Sequence, residues 1–256
     1  MEIFVSQFVL FFLLFTRIVS MISVAPIFGN VAVPMQFKVA ISLFFSFIFF
    51  PIAAKTFSPQ IGFELFSFVI LILQEIVVGL LMGFSVSMIF FGAMMAGEFI
   101  GFNMGLGFSQ YFNPLLEQQT SSLGMFFYTI SILLFLALNG HHYLIQSLQV
   151  SYTTTPIGSF TVNELMYEEF IKLSKMLFTV AVKISAPTIV ALFLSNVVLG
   201  ILSRVVPQMN VFIVGFPLQI GVGLVVLFIV TPLIVTVFKR LILSFEESFL
   251  EFVKVI

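Results

Sequence analysis

Apolar runs separated by polar breaks give the chain about six hydrophobic segments, judged against the roughly 20 residues a helix needs to cross a bilayer core. Ile3 to Phe28 is apolar except for Arg17 near its middle. Pro26, Gly29 and Pro34 then mark a polar-sided loop, Asn30 to Lys38. The second run, Val39 to Ala54, carries Pro51 near its end and is short for a straight crossing. After a turn at Lys55 to Gly62, containing Pro59, the run Phe63 to Gly97 is interrupted only by Glu64, Gln74 and Glu75. It reads as one long helix or as two halves. Leu123 to Leu138 is a further apolar helix, and Asn139-Gly140 is suited to stop it because both residues tolerate the left-handed C-terminal conformation. His141 to Gly158 is polar and β-branched, and Asn163 to Lys175 is the most hydrophilic segment. Within the latter, Glu168 and Lys172 have the acid-then-base i,i+4 order that supports a solvent-exposed helix. This segment is the natural boundary between two parts, 1–162 and 163–256. The second part opens with Met176 to Ser203, apolar apart from Lys183 and Asn196, and bends at the tight turn Arg204 to Asn210. Val211 to Phe238 follows, punctuated by Pro217, Gly221, Gly223 and Pro232, and an amphipathic Glu-rich tail runs from Lys239-Arg240 to Ile256.

Composition turns these segments into a fold class. Of 256 residues 61% are hydrophobic and 8% are charged, whereas a soluble domain carries roughly 25% charged residues. With a mean hydropathy of +1.23, the pattern predicts an all-α polytopic membrane protein. The net charge of −1 leaves no basic surface for nucleic acid. Cysteine is absent, which removes disulfides and thiol chemistry. All eleven acids are Glu, and 37 Phe stand against no Trp, so the usual Trp share of an interfacial belt is missing. Met1-Glu2 is acidic where a signal peptide would be basic, and the apolar run outlasts a signal's core. We read it as the first helix of the mature protein. Lys and Arg are too scattered to fix orientation.

One stretch concentrates the unusual features: Ala96 to Pro114. Gly97, Gly101 and Gly105 recur every fourth residue, which places them on one helix face and permits close packing in an apolar medium. Gly79, Gly83 and Ser87 repeat that pattern upstream. Glu98 is an acid in an apolar setting, and the helical pattern breaks at Gly105-Leu106-Gly107 into an aromatic, polar loop ending at Asn113-Pro114. Irregular backbone at membrane depth requires protein or a water-filled cavity to satisfy its polar groups; an extramembrane connection is the plainer reading of the same loop.

Arg17, Glu75 and Glu98 are charges inside apolar runs, where each costs at least a few kcal/mol unless paired or hydrated. They read as structural pairs or packing anchors, with an ion pathway as the functional alternative. His141-His142 project about 100° apart on a helix and show no zinc-binding spacing. No Ser-His-acid arrangement, phosphate loop or dinucleotide fingerprint is present, so neither catalysis nor a cofactor is expected.

The motifs and their order resemble the FliR family, the export-gate proteins of the bacterial flagellum and related type III secretion systems. The resemblance spans nearly the whole chain. It rests on Arg17 with Ala25-Pro26-Ile27-Phe28 and Val33-Pro34, on Ala96-Gly97-Glu98-Phe99-Ile100-Gly101, and on Met104-Gly105-Leu106-Gly107-Phe108 with Phe112-Asn113-Pro114. Phe135-Leu136-Ala137-Leu138-Asn139-Gly140-His141, Pro156-Ile157-Gly158, Pro207-Gln208-Met209-Asn210 and Gly215-Phe216-Pro217 continue it. Asn113 stands where many relatives carry Asp, which leaves the turn intact.

The resemblance implies bent helical hairpins, FliP-like over 1–162 and FliQ-like over 163–256. It implies a cone-shaped assembly with several FliP-like and FliQ-like subunits, and an FlhB-like export protein, around a channel for unfolded substrates. It places the chain in the bacterial inner membrane at the flagellar basal body. It makes Leu106 to Leu116 a pore plug, carried by Leu106, Gly107, Phe108, Tyr111, Phe112, Asn113 and Pro114. Gly97, Gly101 and Gly105 become its hinge and packing seat. The same residues leave one rival class open, a proton-coupled small-molecule transporter using Arg17, Glu75 and Glu98, and a more remote one, an intramembrane enzyme.

Overall fold

The structure, a computed structural model, describes residues 2–30, 32–56, 65–106, 121–208 and 210–256. Among the described residues every regular element is a helix: α1 (Glu2–Val24), α2 (Met35–Thr56), α3 (Leu65–Asn103), α4 (Ser122–Ala137), α5 (Gly140–Thr154), α6 (Glu164–Val205) and α7 (Val211–Val255). Five are long and apolar enough to cross a membrane, and α4 with α5 makes a sixth if the two count as one broken span. The protein is therefore all-α and polytopic, as composition and run length indicate.

Three helices are longer or more continuous than their apolar runs. The second apolar run is not short: α2 starts at Met35 and continues through Pro51 for 22 residues. Pro51 removes one backbone donor in the helix's last turns, where little of the hydrogen-bond ladder remains to be lost. The run from Phe63 resolves as a single helix of 39 residues. The hydrophilic segment Asn163 to Lys175, read as an exposed helix, is the opening of α6, which runs on unbroken into the next apolar run as a helix of 42 residues. Asn163 starts it by accepting a hydrogen bond from the Met166 N–H at 2.7 Å, which satisfies one of the free donors of the first turn. Asn139 ends α4 as its residue type suggests, adopting a left-handed φ of 59° before α5 begins at Gly140.

Contacts divide the chain into two compact units, each discontinuous in sequence. One comprises Met1–Met88, Asn139–Lys175 and Ser244–Ile256; the other comprises Ile89–Leu138 and Met176–Leu243. In the first, α1 lies against the N-terminal part of α3 with almost no side chain between them. A β-carbon on Gly79 would overlap the Ser20 hydroxyl and the Arg17 carbonyl, and one on Gly83 would stand 2.6 Å from the Met21 carbonyl. Ser87 completes the series by donating its hydroxyl to the Val24 carbonyl at 2.9 Å. On the other side of α1, Phe11 packs on Phe47 of α2 with ring centroids 4.7 Å apart. The tail of α7 returns to this unit. It buries Phe245, Phe249 and Phe252, sets Phe252 at a tilt against Phe170 with ring centroids 5.8 Å apart, and accepts a hydrogen bond from the Asn163 amide at the Val255 carbonyl.

In the second unit, α4 packs on the C-terminal part of α3, with Phe90 set edge-on to Phe135 at 5.2 Å. Gly92 allows α6 to approach, since a β-carbon there would stand 2.7 Å from the Leu177 carbonyl. The outer faces of α6 and α7 are apolar: Phe193, Leu194, Phe228 and Ile229 are all exposed. Such surfaces belong in lipid or against other apolar chains rather than in water.

Candidate functional site

The glycine ladder of α3 is a packing surface for the start of α4. A β-carbon on Gly97 would collide with the Leu123 carbonyl, and one on Gly101 would stand 2.7 Å from the Ser121 hydroxyl. Glu98 is half-buried, with its Cγ 3.0 Å from where a Gly124 β-carbon would be. Its aliphatic stem therefore serves the same α3–α4 contact. Close backbone approach of this kind uses dispersion rather than a hydrophobic difference, which is how helices associate in apolar surroundings.

The ladder ends in a hydrogen-bonded cap. Gly105 has φ +78°, its N–H donates to the Phe102 carbonyl at 3.0 Å, and the Leu106 N–H donates to the Gly101 carbonyl at 3.0 Å. That pair of bonds is the Schellman arrangement, and it requires a residue at ease with positive φ. Met104 is fully buried beneath it, while Leu106 is exposed. Gly107, Phe108, Tyr111, Phe112, Asn113 and Pro114, expected to form the plug, lie outside the described residues. The nearest described residues on either side are Leu106, at the cap, and Ser121, against Gly101.

Arg17 and Glu75 are brought together. Arg17 Nε donates to Glu75 Oε2 at 2.5 Å, and both side chains are fully buried. Arg17 Nη1 donates to Ser151 Oγ at 2.7 Å, to the Ser151 carbonyl at 3.2 Å and to the Thr155 carbonyl at 3.1 Å. Those carbonyls are at the C-terminal end of α5, where the helix dipole favours a cation. The guanidinium also sits over the Tyr152 ring, 4.9 Å from its centroid, an additional attraction in a desolvated site. The second carboxylate oxygen of Glu75 accepts from the Gly158 N–H at 3.2 Å, in the connection to α6. One ion pair thus ties α1, α3, the end of α5 and the chain beyond it. Glu98 takes no part in this cluster.

Sequence reasoning missed Ser151, Tyr152, Thr155 and Gly158 as partners of the buried charges. They sit in a stretch whose polarity signals only exposure. It also missed the contacts that α7 makes with the end of α3 through Phe216, Gln219 and Gly223. The exposed pairing foreseen between Glu168 and Lys172 is replaced by Lys172 reaching Glu169 at 3.2 Å and Glu251 at 3.1 Å. Glu251 offers a partner on the returning tail of α7 that no local spacing could suggest. His141 and His142 stand with ring centroids 4.4 Å apart. Among the described residues no three His or Glu side chains converge as a metal site would require.

These features define a polytopic, all-helical membrane protein with close glycine-mediated packing and a deeply buried ion pair. The chain belongs to the bacterial export proteins, family 1, whose sequence pattern matches residues 8–245. It is similar to the flagellar biosynthetic protein FliR of Escherichia coli (strain K12), with 32% identity over 242 residues, 94% of this chain and 90% of that protein. The FliR of Aquifex aeolicus (strain VF5) is 33% identical over 244 residues, covering 93% and 91%. That of Bacillus subtilis (strain 168) is 31% identical over 239 residues, covering 92% and 91%. The family expected from the motifs is the one found.

Proposed function

We propose that the chain is a core channel subunit of the bacterial flagellar type III export gate. In this reading it assembles in the inner membrane with FliP-like and FliQ-like subunits, beside an FlhB-like protein. Together they form a pore for unfolded export substrates. Residues 106–116 form a hydrophobic plug that closes the pore at rest, and the energy for export comes from other components.

Membership of the export family supports the first part, and similarity to proteins named for flagellar biosynthesis supports its flagellar setting. The observation that supports the plug reading is the anchoring of the described residues on either side of it, Leu106 and Ser121. The chain leaves α3 at a capped glycine and re-enters α4 at Ser121, packed on Gly101 of the same ladder. The plug's apolar members, Leu106, Phe108, Tyr111 and Phe112, suit closure by packing rather than by charge.

Deleting residues 107–116 tests this. Assembled complexes carrying the deletion, fused into planar bilayers, are expected to show raised ion conductance relative to the intact complex. Conductance equal to that of the intact complex overturns the plug assignment.

A further inference from the structure

The end of α3 is seated on a second surface, separate from the α4 contact, and that surface lies on α7. A β-carbon on Gly105 would stand 2.7 Å from Phe216 Cδ1 and 3.6 Å from Gln219 Oε1. One on Gly223 would meet Met104, 2.7 Å from its sulfur and 2.8 Å from its terminal methyl. Phe216, Gln219 and Gly223 follow one another at i, i+3 and i+7, so they share one face of the helix. Behind this stripe the Gln219 amide donates to the Asn196 side-chain oxygen of α6. The hydrogen bond ties the two long helices at the level where the last turn of α3 rests. Gly221, two positions from Gly223, has no atom within 4 Å of where its β-carbon would be. The close approach is therefore specific to one face and not a general glycine richness of α7.

We propose that Phe216, Gln219 and Gly223, with Asn196 behind them, are positioning residues that hold the last turn of α3, Met104 to Leu106, in its place. The inference rests on the reading of 106–116 as a plug and extends it: the α6–α7 hairpin carries the plug's seat. A change at this stripe moves the plug's root without touching the plug itself. Met104 fills the space that Gly223 leaves open, so enlarging residue 223 forces Met104 out of its buried position and lifts the cap at Gly105. Shortening residue 104 at the same time makes room again.

The chain contains no cysteine, so spin labels can be placed singly. Labels at Leu106→Cys and at exposed Phe126→Cys on α4 report the position of the plug root by pulsed electron resonance in the full-length protein. Gly223→Leu is expected to displace or broaden that distance distribution, Gly221→Leu to leave it unchanged, and Met104→Ala/Gly223→Leu to restore it. In assembled complexes, ion conductance is expected to rise several-fold for Gly223→Leu and to return to the wild-type value in the double variant. If Gly223→Leu prevents folding, Gln219→Leu, which removes only the tie to Asn196, is expected to displace the same distance. A distribution identical to wild type in Gly223→Leu, or in Gln219→Leu where that variant is used, overturns the seat. A displaced distance with unaltered conductance, when deletion of 107–116 does raise conductance, also overturns the link from seat to plug. If the deletion itself leaves conductance unchanged, the plug reading fails, and the distance measurement alone decides whether α7 positions the end of α3.

Discussion

Replacing Glu75 with alanine breaks the one fully buried ion pair among the described residues. Arg17 has no exposed surface, and Glu75 is its only charged partner within salt-bridge distance among the described residues. Removing one member of a buried pair leaves the other charge uncompensated and costs about 3–5 kcal/mol. The Ser151 hydroxyl and the two carbonyls at the end of α5 still accept from Arg17, which keeps the loss inside that range. The Gly158 N–H loses its acceptor at the same time. At roughly 2–4 °C per kcal/mol for a chain of this size, Glu75→Ala is expected to lower the unfolding midpoint by about 6–20 °C. Helical circular dichroism on heating in mild detergent reads it. The double variant Arg17→Met/Glu75→Leu removes both charges and leaves only neutral groups unpaired, chiefly the Thr155 carbonyl and the Gly158 N–H. At about 1 kcal/mol for each such group, its loss is expected to be smaller than that of Glu75→Ala alone. The reasoning fails if Glu75→Ala changes the midpoint by less than about 2 °C. It also fails if the double variant is less stable than the single one.

Two further outcomes follow from the same geometry. Gly79→Leu is expected to prevent stable folding, because its side chain would occupy the volume of Ser20 and the Arg17 carbonyl, whereas Gly221→Leu, facing open space, is expected to express and purify like wild type. Lys172→Ala removes exposed, solvent-screened pairs with Glu169 and Glu251 and is expected to leave the unfolding midpoint within about 4 °C of wild type.

Much of the helical framework was legible because apolar run length and bilayer thickness impose it. The ladder at Gly79, Gly83 and Ser87 correctly signalled close packing, since only small residues leave room for a neighbouring backbone. Asn139 was readable as a stop because few residue types accept its φ. The charged opening of α6 was legible as an exposed helix from its charge spacing, but not as continuous with the apolar run from Met176, because the change from polar to apolar looks the same at a break and within one helix. The partner of Arg17 was equally hidden. Glu75 lies 58 positions away and Ser151 lies 134 positions away, and nothing in a local pattern encodes such a pairing. The tail of α7 announced its amphipathic character but not its destination, the face formed by α5 and the start of α6. Of the plug, only Leu106 is among the described residues, so the plug itself stands as a proposal.

The central claim is that this chain functions inside a heteromeric export gate. Purification of the full-length protein in mild detergent from its own membrane, followed by native mass measurement, tests that most directly. The account predicts a stable complex containing this chain with several copies of two smaller membrane proteins; a monomer or a homodimer would contradict it.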